Sequence, residues 1–202
     1  INSFFGQKFG NVGTTVFASY NRNWAYDPSD VGFTVIPKFD RFVFNPKLFL
    51  YLSENTDFSF GINSMIENRL GGDMKYVEGK GDEEHSYFER NKTQRHSSQL
   101  TFEHRFDNQN RLNVKNSITY FSRKIEIPDF EFDGNQLSSF SEVSYIHTKE
   151  KTEWVTGANV WTDKFTEKKL TDFPVRDYNM TTFGLFVQNN TKITDWMNLE
   201  TG

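Results

Sequence analysis

The run from Arg41 to Leu52, RFVFNPKLFLYL, alternates between two kinds of side chain. Phe42, Phe44, Leu48, Leu50 and Leu52 fall on one face of an extended chain. Val43, Asn45, Lys47, Phe49 and Tyr51 fall on the other, because successive side chains of a strand point to opposite sides. The alternation lasts about twice the usual ~5–6 residues of a globular strand. A short polar turn, Ser53-Glu54-Asn55, leads into a second long strand from Thr56 to Glu67, and a long polar loop from Asn68 to Arg95 follows. The same unit then recurs. Tight turns at one end of long strands and long loops at the other are the pattern of an antiparallel, up-and-down transmembrane β-barrel.

Extended along the chain, the pattern predicts eight strands and the start of a ninth, beginning with Gly13 to Asn23. Long loops are expected near Trp24–Asp40, Asn68–Arg95, Lys124–Gln136 and Asp163–Asp177. Short turns are expected at Asp107–Asn110, Lys149–Lys151 and Ile193–Asp195. Pro46 cannot donate to a ladder, so a bulge or a place near the membrane edge is expected there. An internal echo supports the register. Thr56–Asn63 and Thr152–Asn159 each put an aromatic (Phe58, Trp154) outward just past a turn, with Gly and Asn inward. Such an outward aromatic suits the girdle at a membrane interface.

Composition narrows the choice of solvent. Aromatics make up 17% of the 202 residues, 22 of them Phe, and concentrate in the strands. Mean hydropathy is negative, which a barrel tolerates because only every second strand residue meets lipid. No apolar run is long enough for a membrane helix. There is no Cys, which fits passage through an oxidising periplasm without disulfides. A formal charge of −4 argues against nucleic acid as a partner. A soluble β-sandwich also alternates, with its apolar side inward. Three features favour the barrel: strand length, long loops at alternate connections only, and charges (Lys47, Glu67, Glu103, Arg105, Lys115, Glu142) on the face a wet lumen would receive,.

The stretch Phe183–Gly202, FGLFVQNNTKITDWMNLETG, resembles a barrel hairpin of TonB-dependent outer-membrane receptors, and Arg41–Asn63 is similar to another such hairpin. In that family a strand ending in Gln-Asn turns through Thr-Asp and returns as Leu-Asn-Leu. The resemblance implies that residues 1–202 are part of the 22-stranded barrel of a Gram-negative cell outer-membrane receptor. An N-terminal plug and the remaining strands would lie outside this stretch. It also implies energised uptake of a scarce, bulky ligand: an iron–siderophore, haem, cobalamin or glycan. The partners so implied are outer-membrane lipid, the TonB energy-coupling protein (reached through the plug) and the small-molecule or glycan ligand. A passive porin or an adhesin-type barrel stands as the alternative within the membrane, and the β-sandwich binding module outside it.

No catalytic constellation is visible, no nucleophile is spaced with a base, and no cofactor is implied. His85, His96, His104 and His147 are dispersed. Asp82-Glu83-Glu84-His85, with Asp27 and Asp30, could offer oxygens to Ca²⁺, but acidic loops are usually just solvated, and no metal site is assigned. Candidate ligand contacts are the loop residues Tyr26, Asp27, Tyr87, Phe88 and Trp161, since aromatic loops suit capture of a large ligand by stacking. The competing reading is that these aromatics pack the loops against one another. Arg69, Arg90 and Arg95 would favour an anionic ligand or anionic outer-leaflet sugars.

Overall fold

A computed structural model describes residues 1–168 and 176–202. Ten strands form one antiparallel meander in sequence order: β1 (Asn2–Phe9), β2 (Val12–Asn23), β3 (Lys38–Ser53), β4 (Thr56–Gly72), β5 (Phe88–Arg105), β6 (Asn110–Ile127), β7 (Phe130–Lys149), β8 (Thr152–Glu167), β9 (Tyr178–Thr194) and β10 (Met197–Thr201). One short helix, α1 (Met74–Val77), interrupts the loop after β4. Among the described residues β1 and β10 do not pair, so the sheet is open.

Two expectations are corrected. The described residues form ten strands, because β1 precedes the strand expected first and pairs with it from Asn2↔Ser19 to Phe9↔Val12. The third expected loop, 124–136, is a hairpin instead. β6 and β7 continue to Ile127 and Phe130, with Pro128-Asp129 between them and Asp129 at φ 62°. Ile125↔Phe132 and Ile127↔Phe130 pair on one face, and Lys124↔Asp133 and Glu126↔Glu131 on the other. This is strand chemistry that a Pro-Asp pair disguises as loop. The other loops are shorter than expected, 24–37 and 73–87, because strands project beyond the belt at both sides. In the last expected loop β8 continues to Glu167, and 169–175 lie outside the described residues.

Pro46 sits in an unbroken register. β3 meets β4 at Phe44↔Ser64 and again at Lys47↔Gly61 with no shift, although the two residues between make no pair with β4. On the other side Pro46 still faces Val16. The missing N–H therefore costs ladder contacts without a bulge, and the site lies within the apolar belt rather than at its edge.

Directly paired residues share a face, so the register shows what each side is made of. One face carries Ala18, Phe44, Ser64, His96, Tyr120 and Leu137 across six strands, and Val12, Leu50, Phe58, Phe102, Val114, Val143, Ala158 and Leu185 nearer the short turns. The opposite face carries Phe49, Ser59, Thr101, Lys115, Glu142, Asn159 and Gly184. Its charges pair across strands: Lys115–Glu142 at 3.2 Å, Arg105–Asp57 at 2.7 Å and Arg111–Glu153 at 3.1 Å. Lys47 lies over the Phe49 ring at 5.0 Å.

The apolar face has nothing over it. Among the described residues only Val77 and Ile146 are buried hydrophobics, while Leu185 is 89% exposed and Phe183 77%. A β-sandwich buries its apolar faces between two sheets, so this single layer rules that alternative out. Phe42 to Leu52 spans roughly 33 Å along the strand at about 3.3 Å per residue, which at a tilt of about 40° covers roughly the ~25 Å apolar band of a membrane barrel. Aromatics mark both margins. Tyr20, Phe42 and Tyr120 lie toward the long loops. Phe106, Tyr145 and Trp154 lie toward the short turns, with Phe106 6.4 Å from Tyr145. Trp154 points to the apolar face, as its echo with Phe58 requires.

The two faces make opposite demands on an added charge. Leu100→Arg, at mid-belt between Phe60 and Asn116, is expected to cost about 2–4 kcal/mol of folding free energy in lipid vesicles. Gln99→Arg, one residue along and facing the lumen, is expected to cost under about 0.5 kcal/mol, in the range of ordinary surface changes. Equilibrium denaturation of both variants in vesicles measures the difference.

Candidate ligand-binding wall

Above the belt, toward the long loops, both strand faces meet water, and the lumen-facing rows turn basic and aromatic. One row runs Arg41–Glu67–Thr93–Arg123–Gly134–Glu167 across β3 to β8. Neighbouring rows add Phe39, Arg69 and Asn91 above, and Arg95, Phe121, Gln136, Phe165 and Tyr178 below. Glu67 is buried and held from both sides: Arg41 Nε donates to Oε2 at 2.6 Å, and Arg69 Nη2 lies 3.1 Å from Oε1. Two guanidiniums on one carboxylate leave a net positive charge, and both remain about two-fifths exposed (39% and 40%). Turned so that both ends are satisfied, the Asn91 amide accepts from Arg123 Nη2 at 2.6 Å and donates to Thr93. Arg95 lies over the Phe121 ring at 5.1 Å. On β7 to β9 the wall changes sign: Gln136 and Tyr178 both donate to Asp163, at 2.9 and 3.1 Å.

The two described loops near this wall form one unit. Phe33 bridges to Asp73, Thr34 N–H donates to the Gly72 carbonyl at 2.9 Å, and the Thr34 hydroxyl accepts from Gly72 N–H at 2.9 Å. Gly72 has φ +117°, and a Cβ there would lie 2.6 Å from the Tyr87 carbonyl oxygen, so only glycine closes this junction without strain,. Asp73 caps α1, accepting from the N–H groups of Lys75 and Tyr76. Its other oxygen lies 2.8 Å from His85 Nδ1, while Lys75 Nζ lies 2.9 Å from Nε2. A lysine ammonium can only donate, which assigns the proton to Nδ1. The His85 hydrogen bond foremost, then the two backbone N–H groups, hold the Asp73 carboxyl below the usual carboxylate range, against the pull of burial.

The sequence-named contact residues do not converge. Tyr26 bridges to Ile36 within its own loop. Both oxygens of Asp27 accept from backbone N–H groups of that loop, Ser29 at 3.2 Å and Gly32 at 2.7 Å. Tyr87 packs 6.2 Å from Phe33 and joins the two loops, and Phe88 opens β5 stacked 4.8 Å from Tyr76. These are packing roles of the kind weighed against ligand contact. Trp161 is not a loop residue: it lies on the lumen face of β8, 4.8 Å from Phe140. β8 is four strands from β4, roughly 19 Å at about 4.8 Å per strand. Asp82 accepts from Glu84 and His85 N–H groups, and no three metal-ligating side chains converge among the described residues. Of the three arginines, Arg69 and Arg95 face the lumen and Arg90 faces outward. Arg41, Phe121, Arg123, Gln136 and Tyr178 were not singled out by sequence. Inward parity followed along the expected strands would have found Arg41, Phe121 and Arg123, and parity carried across the supposed loop 124–136 would have found Gln136.

With the geometry in place, comparison with known proteins decides the architecture. The sheet superposes on the solved structure of "Copper transporter OprC" with a TM-score of 0.74, covering 98% of this chain and 35% of that one at 10% identity. The chain folds as a stretch of transmembrane barrel wall. It spans about a third of the length of that neighbour. No protein-family model matches the chain, and no curated protein sequence does.

The loop unit carries its own pH signature. Because folding depresses the Asp73 pKa, its contribution is complete above the ordinary aspartate range and is lost as pH falls through the depressed value. Hydrogen exchange of amides 73–87, corrected for intrinsic rates, is expected to stay protected from neutral to mildly acidic pH and to open only in strong acid. Asp73→Asn should abolish that dependence and raise exchange at neutral pH.

Gly72→Ala is expected to destabilise the same junction by about 1–3 kcal/mol, read as faster exchange of amides 72–74 and 87–88.

Proposed function

We propose that residues 1–202 are part of the barrel of an outer-membrane TonB-dependent transporter, and that the arginine-lined upper lumen is where a bulky, anionic ligand is held. The observation that carries this is the single open sheet, apolar outward and charged inward, matched over nearly its whole length to a transporter's barrel. An open edge in hydrocarbon leaves backbone N–H and C=O groups unsatisfied at several kcal/mol each, so the β1 and β10 edges need partners in the membrane. That supports the larger, 22-stranded barrel implied by the resemblance of Phe183–Gly202 to TonB-dependent receptors. A plug domain outside this stretch would then face the lumen wall and carry the contact with TonB.

The ligand class rests on the wall itself. Four guanidiniums (Arg41, Arg69, Arg95, Arg123) stand on the lumen face of β3 to β6, where Glu67 is the one carboxylate in those rows; Glu167, further along one row on β8, is held by Arg176 at 2.7 Å. Arginine forks suit carboxylate, catecholate or phosphate oxygens, so a ferric siderophore or haem fits better than a neutral glycan. The neighbour is named as a copper transporter. Soft thiolate and thioether ligands select Cu(I), and this chain has no Cys and four Met.

The test is uptake by cells expressing the full gene product. The protein should fractionate with the outer membrane, and accumulation of an anionic ferric chelate should stop when TonB is deleted. Arg41→Gln/Arg123→Gln should weaken chelate binding at least tenfold while leaving folding intact. A steady open-pore conductance in planar bilayers would instead establish a passive porin.

A further inference from the structure

Outside the barrel, just above the apolar belt, the same strands carry a second basic surface that uptake does not use. Counting upward on the outward face, the last apolar row is Phe42–Ile66, followed by Gln94 and Ser122. The next row is Arg22–Asp40–Asn68–Lys92–Lys124–Asp133, and the one above is Lys38–Leu70–Arg90–Glu126–Glu131. The acids in this band are already engaged. Asp40 accepts from the Tyr20 hydroxyl at 2.5 Å and lies 3.5 Å from Arg22. Glu126 and Glu131 share Lys124 at 3.2 and 2.7 Å, and Asp133 lies 3.8 Å from Lys168. Arg90 is held only at 3.6 Å by Glu126. Lys38 and Lys92 pair with no acid among the described residues.

These three cations line one cleft of about 200 Å³, with Asp40, Asn68 and Leu70. A second cleft of about 510 Å³ adjoins it at Lys38, bounded by Trp24, Met74 and Val77 of the loop unit and by Glu78, whose carboxylate is paired with Lys80 at 2.9 Å. Trp24 lies 4.4 Å below the Arg22 guanidinium and 5.6 Å from Lys38 Nζ. The loop unit thus leans over the outer wall and makes a basic pocket with an amphipathic indole at its rim, the residue type that settles at headgroup depth.

We propose that this outward cleft binds the phosphorylated headgroup of an outer-leaflet glycolipid, with Lys38, Arg90 and Lys92 on its phosphates. Two observations fix the occupant. The cleft is continuous with the belt below it, where Phe42 and Ile66 would lie against the same molecule's acyl chains. Its free charge is positive, at the depth where an anionic headgroup sits and where juxtamembrane cations are attracted to acidic lipid. A soluble anion would gain the charge but not the belt.

The experiment uses the detergent-solubilised protein and purified, bis-phosphorylated lipid A as probe, with retention read by native mass spectrometry and titration. At about fivefold for each cation removed, the variant Lys38→Gln/Arg90→Gln/Lys92→Gln is expected to bind lipid A roughly 100-fold more weakly. Lys92→Arg should bind as the parent does, and the lumen-side variant Arg41→Gln/Arg123→Gln should retain lipid A fully while losing chelate. Dephosphorylated lipid A should bind the parent and the triple variant equally. Heat-dependent gel mobility checks that each variant is folded. Unchanged lipid A binding in the folded triple variant would overturn the proposal. So would equal loss with the lumen-side variant, or displacement by inorganic phosphate at the concentration of the lipid.

Discussion

A sheet that leaves its apolar side uncovered is stable only against an apolar solvent, and the rest of this structure follows from that constraint. Each residue in the belt must satisfy its N–H and C=O within the ladder, because hydrocarbon offers no partner. The register therefore holds over strands of up to 20 residues, shifting among the described residues only beside turns at Tyr51/Ser53 and Met197/Asn198, and it carries past Pro46, where two residues of β3 make no pair with β4. Stability comes from a continuous ladder and a lipid-facing belt rather than from a packed core, which accounts for so few buried hydrophobic residues.

The same constraint divides the molecule by height and by face. Within the belt one face answers to lipid and the other to the lumen, where charges are kept but paired, as in Lys115–Glu142 and Arg105–Asp57. Above the belt both faces are wet, and the strands become free to carry charge on either side. Arg41, Arg69, Arg95 and Arg123 use the inner side, and Lys38, Arg90 and Lys92 the outer. The chain thus presents two basic surfaces on the same strands, separated by the thickness of one sheet.

This division also explains how far the sequence was legible. Alternation reports a strand only where its two faces meet different solvents. It located the belt segments of β2 to β9, their facing and the short turns. Beyond the belt, Phe88–Gln94, Lys124–Ile127 and Phe130–Gln136 remain strand but lose the contrast, so they read as loop, and with them went the parity that would have placed Gln136 in the lumen. β1 was missed because Phe4 and Phe5 are adjacent and set no clear period. Trp161 was grouped with loop aromatics because β8 runs further than its apolar pattern does. The joining of the two loops through Phe33, Thr34 and Asp73 depends on contacts distant in sequence and leaves no local signal.

The absence of Cys allows the central claim to be measured directly. Single cysteines placed one at a time from His96 to Arg105 on β5, in protein reconstituted into lipid vesicles, can be probed with a bilayer-confined quencher and a water-soluble thiol reagent. Positions 98, 100 and 102 should be quenched by lipid and resist the aqueous reagent, and positions 97, 99, 101 and 103 should show no lipid quenching. Absence of that period-two alternation, with every position equally reachable from water, would contradict a lipid-facing barrel wall.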